Sequence, residues 1–114
     1  MEMFIEEKGN IIIVHLSGTL SYDSIKKFDD LVEEQVRKKP EMIALNCIDL
    51  DHVDSYGIHH LFKFWKSASN DDIKLIAYDV SPSVMEIMKV TNLNTLMEVL
   101  TGKDFIMDYL DLEE

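Results

Sequence analysis

Between Asn46 and Ile58 the chain reads Asn-Cys-Ile-Asp-Leu-Asp-His-Val-Asp-Ser-Tyr-Gly-Ile, with three aspartates ahead of a serine that stands two residues before a glycine. Three chemistries use a serine in such a setting. As a nucleophile, Ser55 needs a sharp strand-to-helix turn and a base to take its proton. As a helix cap, its hydroxyl accepts a hydrogen bond from a backbone N–H two or three residues on. As a phosphoryl acceptor, it would gain about −1.5 to −2 charge beside Asp54, with Asp49 and Asp51 close in sequence and no arginine nearby.

The nucleophile's turn calls for Gly-x-Ser-x-Gly, and Val53 stands where the first glycine belongs. Of the four histidines, His52, His59 and His60 lie too near in sequence to single out a base, and sequence does not place His15 against Ser55. A serine hydrolase is therefore only the third candidate. Adjacent His59 and His60 point to different sides of a helix, and no His-x-x-x-His or Cys-x-x-Cys pair exists, so no metal site is expected. Gly9, Gly18, Gly57 and Gly102 are scattered rather than grouped into a phosphate-binding loop, and no cofactor is expected. Cys47 follows an apolar run and reads as a small buried hydrophobe.

The elements that position this motif must come from a chain of 114 residues, expected to form one domain over 1–114. Its net charge of −11, from 22 acidic against 11 basic residues, argues against nucleic acid and anionic membranes and suits a basic protein partner. A lone cysteine fits a reducing cytoplasm. The N-terminus carries acids where a signal peptide needs basic residues, and no apolar run approaches the ~18 residues of a membrane span.

Apolar periodicity switches repeatedly between strand and helix. Met3 to Glu7 reads as an edge strand, Lys8-Gly9-Asn10 as a turn and Ile11 to Leu16 as the hairpin partner, with Gly18 ending it. A helix over about Ser24 to Arg37 turns Ile25, Phe28, Val32 and Val36 inward, and Pro40 closes its exit. Met42 to Leu45 suits a strand buried on both faces. A second helix over about Ser55 to Ser67 presents Ile58, Leu61, Phe62 and Trp65 to the sheet. Lys74 to Tyr78 is another strand, and Ser81-Pro82 starts a third helix that buries Val84, Ile87 and Met88 and stops near Asn92. Leu96 to Leu100 follows as a strand, and Thr101 with Asp104 caps a last helix whose acids, through Asp111, Glu113 and Glu114, solvate it. The order β-β-α-β-α-β-α-β-α predicts an α/β fold: a mixed sheet, its N-terminal hairpin followed by parallel β-α units, with about four helices. The acid-rich motif lies where a strand gives way to a helix, a common address for function in open α/β sheets.

These pieces, in order and spacing, resemble the STAS domain, specifically the bacterial anti-sigma factor antagonists. The resemblance rests on Val14-His-Leu-Ser-Gly-Thr-Leu-Ser-Tyr-Asp-Ser24, on Ala44 to Leu61 with its Asp54-Ser-x-Gly-Ile58 core, and on Leu75 to Leu93 with Ser81-Pro82. It implies a STAS fold and a non-enzymatic partner switch. Ser55 would be phosphorylated by an anti-sigma factor that is itself a serine kinase of histidine-kinase-like ATPase fold. A PP2C-type phosphatase would restore the serine. The alternative is a constitutive cytosolic STAS subunit of a transport assembly, in which Ser55 only caps its helix.

The docking surface is expected to include Ser21 and Asp23 from the segment after the first hairpin, with Asp54, Tyr56, Gly57, His60 and Phe64 around the motif. After Gly18 the segment reads Thr19-Leu20-Ser21, with acid only at Asp23, where the family commonly has an acid sooner. His59, His60, Phe64 and Trp65 also make the second helix bulkier than usual. On a helical projection Gly57, His60 and Phe64 share a flank, so Phe64 is either an exposed anchor or a side chain packed under the third helix.

Overall fold

Strand β1 (Glu2–Lys8) turns through Gly9 and Asn10 into β2 (Ile11–Leu20), and the two pair antiparallel from Glu2↔Ser17 to Lys8↔Ile11. The computed structural model describes residues 1–110, so Asp111, Glu113 and Glu114 lie outside the described residues. A 3-10 turn (Tyr22–Ser24) leads into helix α1 (Ile25–Arg37) and then strand β3 (Met42–Val53). Helix α2 (Ser55–Asn70), strand β4 (Lys74–Tyr78) and helix α3 (Pro82–Val90) follow. Strand β5 (Glu98–Leu100) comes after a second 3-10 turn, and the short helix α4 (Gly102–Phe105) opens into a wider π turn over Ile106–Leu110. The sheet order is β1-β2-β3-β4-β5, antiparallel only at β1, which is the expected mixed sheet and element order.

The apolar alternation of the strands separates two cores. Ile12, Val14, Ile43, Leu45, Leu75 and Ala77 face one side, where Phe28, Val32 and Val36 of α1, Ile58, Leu61 and Phe64 of α2, and Val84 and Met88 of α3 cover them. Ile13, Met42, Ala44, Ile76 and Tyr78 face the other side, under Phe105 and Leu110. The Phe105 ring stacks on Tyr78 with centroids 4.4 Å apart. Each buried Leu, Ile or Phe contributes roughly 1.5–3 kcal/mol, so the three-helix side dominates the stability.

Two strands are longer than their sequences suggest. Gly18 does not end β2; at φ +105, where a glycine is at ease, it sits in a register shift and the strand runs on to Leu20. Strand β3 likewise passes Leu45 and reaches Val53, pairing Ser17↔Asp49, Gly18↔Leu50 and Leu20↔Val53. The bulges bury Cys47, Leu50 and Val53 at every third residue, which erases the period-two signal of a strand.

Helix α2 is also rotated from the expected face. Phe62 and Trp65 are only half-buried on its flank, while Phe64 is 3% exposed among the buried residues. Phe64 is thus not a surface anchor. It meets Phe28 of α1 edge-on, at 5.9 Å and 87°, so the helix that covers it is α1 rather than α3. Ile25 and Ile87, expected inward, are half-buried.

Candidate functional site

The first turn of α2 is held by Asp54. Its backbone is extended (φ −90, ψ −175), its N–H donates to the Leu20 carbonyl at 3.1 Å, and its own carbonyl accepts from Ile58 N at 2.9 Å. The carboxylate serves two donors: Oδ1 accepts from Gly57 N at 2.8 Å and Oδ2 from Tyr22 N at 3.3 Å. Asp54 therefore caps α2 and ties the turn after β2 to it. A carboxylate forms stronger, charge-assisted bonds than a hydroxyl, so it takes the cap position.

Ser55 is consequently not the cap. It is the first residue of the helix, it is exposed, and its hydroxyl has no hydrogen-bond partner among the described residues. Gly57 lies beneath the site instead of on its surface. A β-carbon there would collide with the Leu20 carbonyl oxygen and come within 2.8 Å of Val53 Cγ1, so only glycine lets the first turn close on the ends of β2 and β3.

Two exposed tyrosines stand beside the serine. Tyr22 (69% exposed) and Tyr56 (55%) meet edge-to-face with centroids 5.3 Å apart. With Asp23, Ile25, Lys26 and His60 they line a shallow cleft of ≈ 440 Å³. Asp23 is exposed to solvent, and Ser21 is half-buried with its N–H donating to Ser24 Oγ at 3.0 Å. His60 Nδ1 lies 2.8 Å from Asp29 Oδ2, close enough for ion pairing but off-line for a hydrogen bond, and Lys63 Nζ is 3.7 Å from the same oxygen. Asp23, Tyr56 and His60 thus meet at one cleft, with Asp54 hydrogen-bonded to its Tyr22. Phe64 is on the buried side and Gly57 underneath. Sequence reasoning missed Tyr22 and Asp29. An aromatic next to Asp23 was the available signal for the first; the second depends on how α1 crosses α2.

The remaining candidates lie elsewhere. His15 is on the opposite sheet face, with Nε2 2.9 Å from Glu6 Oε1, Nδ1 2.9 Å from Asn46 Nδ2, and its ring stacked on Phe4. Both ring nitrogens are engaged there, and the His15 contact, then Lys8, holds the Glu6 carboxyl below the usual range. Among the described residues no histidine is hydrogen-bonded to Ser55. Cys47 is buried, and burial, then the charge of Asp79, pushes its thiol up to about 12. Among the described residues no group of three His, Cys, Asp or Glu side chains is placed to hold a metal, and no helix is long and apolar enough to cross a membrane.

A family model described as STAS domain matches residues 2–104. Comparison with curated protein sequences finds no match. Among solved structures, a Thermotoga maritima protein assigned as an anti-sigma factor antagonist superposes with a TM-score of 0.86 at 16% identity, covering 96% of this chain and 94% of that one. The Bacillus anti-sigma factor antagonist SpoIIAA, unphosphorylated, gives 0.80 at 16% identity, covering 99% and 100%; its phosphorylated form gives 0.73. A sulfate transporter family protein from Wolinella succinogenes gives 0.77 at 18% identity, covering 90% and 86%. These likenesses establish the fold.

Proposed function

The chain belongs to the STAS domain family, and from that premise we propose that it is a non-enzymatic partner switch of the anti-sigma factor antagonist kind, working in the cytoplasm and set by reversible phosphorylation of Ser55. One observation carries the reading: Asp54 does the capping, which leaves an exposed serine hydroxyl with no structural task at the start of a well-anchored helix. A kinase cleft can receive such a hydroxyl without unfolding anything. The partner is an anti-sigma factor serine kinase of histidine-kinase-like ATPase fold, and a PP2C-type phosphatase resets the site. Tyr22 and Tyr56 supply large, rigid contact area beside Ser55, with Asp23 and His60 at the same cleft. Phosphorylation adds about −1.5 to −2 charge next to the Asp54 carboxylate. The helix N-terminus tolerates that charge, so the fold persists while docking to a phosphate-binding partner is lost to like-charge repulsion.

Capture of the partner from the native cell, phosphosite mapping, and titration of both forms against that partner test the proposal. Phosphate at Ser55 with at least tenfold weaker binding is expected. Equal affinity for the two forms sinks it. A second reading, a constitutive subunit of a transport assembly, draws on the likeness to the Wolinella succinogenes protein. It predicts partner binding indifferent to phosphate, and it no longer has the helix cap as a role for Ser55.

A further inference from the structure

The two edges of the sheet are finished differently. Strand β5 is three residues long and is guarded by the C-terminal turn, where Tyr109 Oη donates to Glu98 Oε1 at 2.8 Å and Lys74 Nζ lies 3.2 Å from Glu98. Strand β1 is seven residues long and pairs on one side only. Its Phe4 is 64% exposed, Met3 and Ile5 reach the main core only partly buried, and an open groove of ≈ 260 Å³ with Met3 and Leu31 in its lining runs between the strand and α1. Long unpaired edges template pairing with another strand unless charge forbids it.

The charges on β1 forbid most pairings and permit one that uses the whole strand, since a pairing centred on Met3 opposes no like charges but joins only Glu2 to Phe4 of β1. In a symmetric antiparallel pair, opposite residues share a face, so a strand can meet its own copy only about a residue on the axis. Centred on Phe4, the pairing sets Glu2 against the partner's Glu6; centred on Glu6, it sets Glu6 against its own equivalent. Both oppose like charges. Centred on Ile5, it sets Glu2 against the partner's Lys8 twice, Met3 against Glu7, Phe4 against Glu6, and Ile5 against Ile5, with no like charges opposed. Among the described residues Glu2 makes no ion pair, whereas Lys8 Nζ is held 3.3 Å from Glu6 on the same strand face. From this self-complementarity we infer that β1 is a homotypic docking edge: a second copy of this chain pairs with it antiparallel about a two-fold axis at Ile5, joining the two sheets. This edge is two strands away from β3, which leads to Ser55, so the inference does not depend on the switch.

Sedimentation of the full chain across micromolar to millimolar concentration at ordinary ionic strength is expected to show a monomer–dimer equilibrium. Glu2→Lys and Lys8→Glu should each weaken the dimer about tenfold, because two opposed pairs become like-charged. The double exchange Glu2→Lys with Lys8→Glu should restore it. Mild oxidation of Ile5→Cys should give a covalent dimer, since opposed Cα atoms about 4.5–5.5 Å apart suit a disulfide. Met3→Cys should not, its equivalents being separated by about four residues of strand, ~13 Å. Circular dichroism melts confirm that each variant is folded. A chain that stays monomeric at millimolar concentration, a dimer indifferent to the single reversals, or a double exchange that fails to restore association overturns the inference. Cross-linking of Met3→Cys as fast as Ile5→Cys does so even where a charge variant misfolds.

Discussion

Helices α2 and α3 each begin beside a serine, and the two hydroxyls are used in opposite ways. Ser81 has extended backbone (φ −67, ψ 158) and its Oγ accepts from Val84 N at 3.3 Å, while Pro82 occupies the first helical position. Proline disfavours helical backbone in the residue before it, so Ser81 is fixed in the cap position, and Val80 offers no competing acceptor. At α2 the preceding residue is Asp54, which captures the cap, and Ser55 moves one place inward with nothing to bind. The contrast shows that a serine's role at a helix start is decided by its neighbours. Where the neighbour caps, the hydroxyl is left available for chemistry with another molecule.

The largest effect tests whether α2 is held from its buried side, as a freely exposed start requires. Phe64→Ala should cost about 3–5 kcal/mol of unfolding free energy in urea titrations, because it empties the space against Phe28. Partner affinity of the folded fraction should not change. A small stability loss with a large loss of affinity would return Phe64 to the docking surface. Next in size is Gly57→Ala, expected to cost about 1–3 kcal/mol since the new methyl meets backbone at Leu20. If that variant is fully stable, α2 does not close on β2 as described.

How much of this could be read in the sequence depends on whether a local rule decided the outcome. Element order, the mixed sheet, the start of α3 and the Thr101 cap, which accepts from Asp104 N at 3.0 Å, follow from nearby residues and were legible. Phe64 was not, because the arc of α2 that is buried depends on where α1 lies, and Phe28 is 36 positions earlier in the chain. The full length of β3 was hidden by bulges, whose three-residue burial pattern matches neither strand nor helix. At the site, the serine and its acids stood out, but the Tyr22 contact with Tyr56 and the Asp54 bond to Tyr22 N are tertiary facts. The acid-rich motif therefore pointed to the candidate site, and the structure showed which of its members hold that helix start together.

The caps themselves come next. Asp54→Ala should cost ~1–2 kcal/mol and Ser81→Ala ~0.5–1.5, the first being larger because its carboxylate serves two N–H groups. Thermal melts rank them. If Ser81→Ala proves costlier than Asp54→Ala, the second contact, at Tyr22, adds nothing to the cap.

The smallest expected change in stability belongs to Ser55, and it is the most informative. Ser55→Ala removes a hydroxyl with no partner and places a good helix former at the first helical position, so stability should stay within ~0.5 kcal/mol. Ser55→Asp gains from the helix dipole and loses to Asp54 next to it, and these opposing effects of a few tenths of a kcal/mol should nearly cancel. Both variants thus fold like the parent, which separates binding from stability. Under the switch, Ser55→Ala binds the kinase normally and accepts no phosphate, while Ser55→Asp binds more weakly, though less so than phosphoserine because it carries less charge and fewer oxygens. Calorimetric titration of the three forms against one partner makes the decision. Loss of more than 1 kcal/mol of stability in Ser55→Ala would mean that the hydroxyl has a structural partner after all, and the contrast with Ser81 would collapse.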